Sequence, residues 1–506
     1  MSKGLTPAFL SNLEMTADEA ASLIPRNAVL GLSGFTRAGD VKAVPAALAR
    51  RAAHESLQLT VATGASLGHE TDALLAKTGI LARRYPFQAD PTLRRAINDG
   101  KVMFIDHHLS ETAEAMRSGA LTPPDVAIIE ALDLDEQGLI PTTSVGNSPV
   151  FAALAKSIIV ELNSAHSEAL RGVHDICQPK PFGQREPIGI VAPNTRIGTP
   201  FIPVDPAKIK AVVRTNQADS KAGPSAPSPE TDAIAGHLLE FLDHEVKAGR
   251  LDRRLAPLQA GIGKIANSVL AAFTESSFEA LTMYSEVLQD STFDLFDSGK
   301  LIFASASSIT LDARQDALKD FGRYRDRVIL RPQDISNHPE VVRRLGVIAI
   351  NTALEADIYG NVNSTHVNGS HMMNGIGGSG DFARNARLSV FVTQSVAKDG
   401  ALSRIVPMVP HVDHGAQDVD ILVTEAGLAD LRGLAPRERA LTIIRNCMNA
   451  NYRELALDYF NEAKRRGGHT PHVLEKAFSW HERAQSSGSM LDTAGAVEKR
   501  RLAAAE

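Results

Sequence analysis

Cysteine is nearly absent: the 506 residues contain two, Cys177 and Cys447, far apart in the chain. That excludes a disulfide framework and a cysteine-held zinc, and predicts two buried thiols in a reducing compartment. Blocks of one charge sign are absent too, and the formal net charge is −6. A nucleic-acid partner requires a basic face, which this sequence does not offer. No apolar stretch reaches membrane length without charges, and the opening MSKGLTPAFLSNLEM has the apolar core of neither a secretory signal nor an anchor. A cytoplasmic protein without membrane association is expected.

What is present is an ordinary globular composition, 43% hydrophobic and 22% charged, over a length suited to two domains. Short apolar, β-branched runs occur at 28–32, 57–62, 102–105, 126–131, 158–162 and 209–213. They recur at 301–304, 328–330, 347–350, 388–392 and 421–424, and helical patterns lie between them. This alternation predicts an α/β fold with largely parallel, buried strands. The segment 216–229, NQADSKAGPSAPSP, lacks apolar periodicity and reads as a surface linker between domains 1–220 and 230–506. Ser228 then reads as an N-cap and Pro229 as the first residue of a helix, with Ile234, Leu238, Leu242 and Val246 on one face and Gly249 at its end.

The two parts share a pattern. VAIIEALDLDEQGLI starts at Val126 and VIAINTALEADIYGNV at Val347. Each is an apolar strand followed by Ala-Leu, an acid (Asp135, Asp357) and a Gly three residues later (Gly138, Gly360). A duplicated α/β unit explains both the pattern and the length.

Four segments carry candidate chemistry. In LQAGIGKIANSVL, Gly261 and Gly263 precede a helical pattern, a place where backbone N–H groups receive an anion or a developing oxyanion. The same pattern fits an ordinary strand-to-helix turn. In MYSEVLQD, Glu286 lies among Met283, Val287 and Leu288. A carboxylate there is paired, protonated or functional, unless it turns to solvent at a strand end. Between Gly360 and Asn385 lie six glycines together with Met372, Met373 and Ile376. That is too glycine-rich for a core element and too apolar for a loose linker, which predicts a buried loop close to a ligand, with amides at Gly377, Gly378 and Gly380. Finally, His411, Asp413 and His414 are spaced like metal ligands, but no further ligand follows at metal-site spacing. Hydrogen bonding at a turn is expected, and no metal.

Taken together, GIGKIAN, MYSEVLQD, ASASS, NHPEVVRRLGVIAIN, ADIYGNVNSTHV, MNGIGGSGDFARN, IVPMVPHVDH and VTEAGLADLRGLAPRERA resemble the acetyl-CoA hydrolase/transferase family. SGFTRAGDVKAVPAALARR, TGAS and PTTSVGNS extend the likeness over the first half. The resemblance implies two open α/β domains of CoA-transferase type with the active site between them. It implies Glu286 as nucleophile, and oxyanion donors at the backbone of Ile262 and Gly378. It implies CoA contacts along Gly261, Ile262, Gly263, Lys264 and Ile265, and at Leu354, Asn374, Gly378 and Lys398. The expected reaction moves CoA between short-chain carboxylates of the acetate, propionate and succinate class through a glutamyl-CoA thioester. Acyl-CoA is a substrate here, no cofactor is permanently bound, and a homodimer is expected. Lys264 stands where many members have Asn. The linker lacks an Arg, so Lys221, or Arg94 and Arg95, would supply the cation for a dicarboxylate. Hydrolysis by the same glutamate is the alternative activity, and a non-catalytic CoA-binding module a further one. A nucleotide-binding dehydrogenase fits poorly, because the GxGxxxN turn from Gly261 is not the GxGxxG pattern and the acid expected after the next strand is not evident.

Overall fold

The computed structural model describes residues 7–69, 71–221 and 228–491. Two parallel sheets organise the chain. The first runs, edge to edge, Met103–Phe104, Leu81–Tyr85, Leu59–Ala62, Val29–Leu32, Val126–Ala131, Ser157–Asn163, Ile209–Thr215. The second runs Val328–Leu330, Leu301–Ala306, Leu281–Tyr284, Leu258–Ala260, Ile348–Thr352, Leu388–Val392, Ile421–Thr424, and adds the antiparallel edge strand Gly427–Asp430. In both, the chain starts on a central strand, steps out to one edge, returns beside its starting strand and continues to the other edge. The identical order bears out the duplicated unit.

The shared sequence pattern maps onto a shared local structure. After the fifth strand of each sheet, a short antiparallel hairpin follows: Asp133–Asp135 with Gly138–Ile140, and Glu355–Asp357 with Val362–Asn363. The acid closes the turn in both. Asp135 accepts the N–H groups of Gln137 and Gly138, and Asp357 those of Tyr359 and Asn361. This is the Asx geometry that makes Asp a turn residue.

Each apolar run expected to be a strand lies on one, because buried parallel strands need apolar side chains on both faces. The helix Pro229–Lys247 begins as expected, with the Ser228 hydroxyl accepting the Thr231 N–H, and Gly249 follows it with φ +71°. The expected linker segment lies at the surface at 216–218 and at Lys221. Residues 222–227 lie outside the described residues, but the stretch before them is pinned to the first half. Asp219 lies 3.2 Å from Lys42 Nζ and accepts the Gly39 N–H and the Thr143 hydroxyl. Cys447 is buried as expected, while Cys177 is only half-buried.

The halves interlock. Val145 N–H donates to Ser307 O, Ile309 N–H to Thr143 O, and Gln333 N–H to Gly146 O. The largest apolar cluster includes Val145, Phe151 and Val173 from the first half with Leu258, Phe293 and Leu330 from the second. Among the described residues, no helix is long and apolar enough to cross a membrane.

Candidate active site

In each sheet, the point where strand order reverses lies between the first and fifth strands. Ligands bind beyond the carboxyl ends of parallel strands at such points. In the second sheet that position holds the turn 261–263, after Leu258–Ala260 and before the helix Lys264–Ala272. Gly263 caps this helix with φ +116°, a conformation that only glycine adopts without strain. Gln289 fixes the turn: its amide donates to Gly261 O at 2.9 Å, and its Oε1 accepts the Gly263 N–H at 3.4 Å.

Glu286 follows the neighbouring strand Leu281–Tyr284, whose partner Leu301–Ala306 leads into a loop held by Glu286 itself. The Glu286 carbonyl accepts the N–H groups of Ser307 and Ser308. The residue is 7% exposed. Its Oε2 accepts Asn337 Nδ2–H at 3.1 Å, and the Gly378 N–H also donates to the carboxylate. Burial pushes its pKa up to about 7, helped by the negative field of Asp381 and opposed by the Asn337 and Gly378 donors. A Cβ at Gly378 would overlap Glu286 Oε2 and Asn337 Nδ2, so this close approach needs glycine.

These groups open on a cleft of about 1400 Å³ between the halves. Glu286, Gly261, Ile262, Gly263, Lys264, Leu354, Asn374 and Gly378 all line it. Two expected contacts do not. The Ile265 side chain packs on the core, and Lys398 is exposed at a hairpin turn with φ +49°. Arg94 is also used differently from the expectation. It donates to Met373 O at 2.5 Å and Ala89 O at 3.1 Å, holding the glycine-rich segment, and neither it nor Arg95 lines the cleft. Lys221 does, with Arg37, His69, Lys264 and Arg314. Arg37 spans the halves through its pair with Asp312 at 2.9 Å.

His411, Asp413 and His414 diverge. His411 Nε2 lies 3.1 Å from Asp413, whose carboxylate accepts the Thr365 hydroxyl and the Ser364 N–H. The His414 ring faces Ser379 Oγ at 3.1 Å instead.

Sequence reasoning missed Asn337, Gln289, Asp381 and Ser110. Three of them, Gln289, Asn337 and Asp381, sit inside the motifs that carried the resemblance, but their partners lie outside those motifs or far along the chain.

Residues 11–214 match the acetyl-CoA hydrolase/transferase N-terminal domain, and residues 315–460 the C-terminal domain of the same family. The chain belongs to the acetyl-CoA hydrolase/transferase family. The segment carrying Glu286 falls between the two matches, yet its strands belong to the second sheet. Among relatives in this family, the succinyl-CoA:acetate CoA-transferase of Clostridium kluyveri is 48% identical, over 94% of this chain and 90% of that protein. The propanoyl-CoA:succinate CoA transferase of Escherichia coli is 44% identical, over 94% and 98%. The acetyl-CoA hydrolase of Schizosaccharomyces pombe is 43% identical, over 96% and 99%. The fold is similar to that of RipA from Yersinia pestis, with a TM-score of 0.71 at 22% identity over 91% of this chain and 98% of that one. A 4-hydroxybutyrate CoA-transferase from Porphyromonas gingivalis gives 0.60 at 20% identity over 90% and 98%. The family thus contains both transferases and hydrolases at similar distance from this chain.

Proposed function

We propose that this enzyme moves CoA between short-chain carboxylates, with Glu286 as the covalent carrier. The observation that supports this most is the environment of Glu286: a desolvated carboxylate held by two N–H donors at a cleft between two domains. Desolvation strips the hydration that would dull the nucleophile, and the donors keep it aimed.

In this reading, a Glu286 oxygen attacks the thioester carbonyl carbon. The oxyanion collapses with loss of CoA thiolate, leaving a mixed anhydride. The thiolate attacks the glutamyl carbonyl, the anhydride C–O bond breaks, and the first carboxylate leaves with that electron pair. The second carboxylate reverses these steps on the glutamyl-CoA thioester. In the steps at the glutamyl carbonyl, the oxyanion forms on an oxygen of Glu286 itself, within reach of the Gly378 and Asn337 donors. The N–H of Ile262, in the turn at the start of the helix Lys264–Ala272, serves the other carbonyl. A well-placed oxyanion donor contributes about 3 kcal/mol. Lys264 and Lys221, at the cleft wall, suit the phosphates of CoA or a distal carboxylate. The domain boundary lies within 221–229, and a cytoplasmic homodimer without bound cofactor completes the proposal. Light scattering on the purified protein checks the dimer.

Acetyl-, propionyl- and succinyl-CoA assayed with and without acetate, propionate or succinate test the reaction. Thioester consumption should depend strongly on an acceptor. Equal consumption in its absence assigns hydrolysis instead.

A further inference from the structure

Asp381 is a second buried acid beside the nucleophile, and the reaction steps above do not use it. It is 4% exposed and sits in the short helix Ser379–Ala383, directly after Gly378. Its carboxylate accepts the Ser110 hydroxyl at 2.6 Å and the Ser110 N–H at 3.1 Å, both from the first half of the chain. It also accepts Asn337 Nδ2–H at 3.4 Å, from the same amide that donates to Glu286 at 3.1 Å. The amide is itself oriented, because the Ser336 hydroxyl donates to Asn337 Oδ1 at 2.8 Å.

We propose that Asp381 is a positioning residue through which the first half of the chain sets the charge state of Glu286. The inference rests on Glu286 being the nucleophile. Two carboxylates that share one amide donor in a buried site resist being ionised together. The coupling runs through the field and not through a transferred proton, since the Asn337 amide between them is a donor to both. Ser110 stabilises the charge on Asp381, so docking of the first half governs where the pair holds its negative charge. The other groups facing Asp381 are few. His108 Nδ1 lies 4.0 Å from Oδ1, and Glu111 adds a negative field from the same segment. His414 meets the start of its helix at Ser379, and Arg343 meets the end at Arg384 O and Asn385. Burial pushes the pKa of both acids up to about 7.

The test is the pH profile of kcat/KM for acetyl-CoA with a saturating carboxylate acceptor. The acid limb should have its midpoint near pH 7, and Asp381→Asn should move it down by about one pH unit. A turnover-independent reading uses protein labelled with 13C at the aspartate side-chain carboxyls. By reciprocity, Glu286→Gln must lower the titration midpoint of Asp381 by a similar amount, whether or not Asp381→Asn folds. An unmoved acid limb in Asp381→Asn, or an unmoved Asp381 midpoint in Glu286→Gln, overturns the proposal. Full turnover by Glu286→Gln overturns instead the reading of Glu286 as nucleophile.

Discussion

Glu286 is held where its ionised form is least comfortable. With a pKa raised to about 7 by burial, the folded state binds a proton that the unfolded chain releases near its ordinary value of 4.5. The stabilising contribution is therefore present below that ordinary value and is lost as pH rises through 7. Glu286→Gln removes the charge and keeps the shape. Denaturant titrations should show it more stable than the parent by about 1–3 kcal/mol at pH 8, and little changed at pH 5. Its turnover should fall by about 10³-fold or more. Gly378→Ala tests the approach from the other side. Its methyl group displaces the carboxylate or the Asn337 amide, and kcat should drop about 10²-fold, the usual effect of a misplacement near 1 Å.

At the level of elements, the decisive arrangement is a glycine-rich segment from the second half laid against the first. The helix Pro91–Asn98 grips it. Asn98 Nδ2–H donates to Met372 O at 2.9 Å, its Oδ1 accepts the Met372 N–H at 3.0 Å, and Arg94 holds Met373 O. Asp106 accepts the Ile376 N–H at 2.9 Å. Arg94 thus acts on the segment that ends in Gly378. Arg94→Ala should lower kcat/KM for acetate and succinate acceptors by the same factor in steady-state assays. A loss confined to succinate would instead make Arg94 a substrate cation.

The expectation of Arg94 as a substrate cation marks where sequence reading ends. An Arg near the end of a polar segment looks available, and only the returning chain shows its partner. Continuous apolar strands were legible, because burial on both faces leaves no other composition. The strand Leu81–Tyr85 was not, because Arg83 and Arg84 interrupt it. Arg84 is fully buried and satisfied by Asp72, Tyr85 O and Ala65 O. Glu286 and the glycine turns were legible from type and spacing, together with the family likeness. Asn337, Asp381 and Ser110 were not, since their contacts join positions 44, 51 and 271 residues apart.

The molecule as a whole is held together across its cleft by buried polar contacts as well as by a common core. Arg331 is fully buried in the second half. It pairs with Asp175 and donates to Pro193 O at 3.1 Å and Thr195 O at 2.6 Å, all from the first half, and to Ser305 Oγ at 2.8 Å. Arg331→Ala leaves Asp175 buried without its cation. Such a deletion should destabilise the fold by about 3–5 kcal/mol, read as a lower denaturation midpoint. The two domains docked this firmly form the walls of the cleft that holds Glu286.

The proposed glutamyl-CoA thioester at Glu286 is the centre of the account. The direct measurement is borohydride trapping: incubate the enzyme with acetyl-CoA, reduce, digest, and map the modified residue by mass spectrometry. The account predicts that the Glu286 carboxyl is converted to a primary alcohol, only when acyl-CoA is present. Peptides in which Glu286 stays unreduced while the enzyme turns over would contradict it.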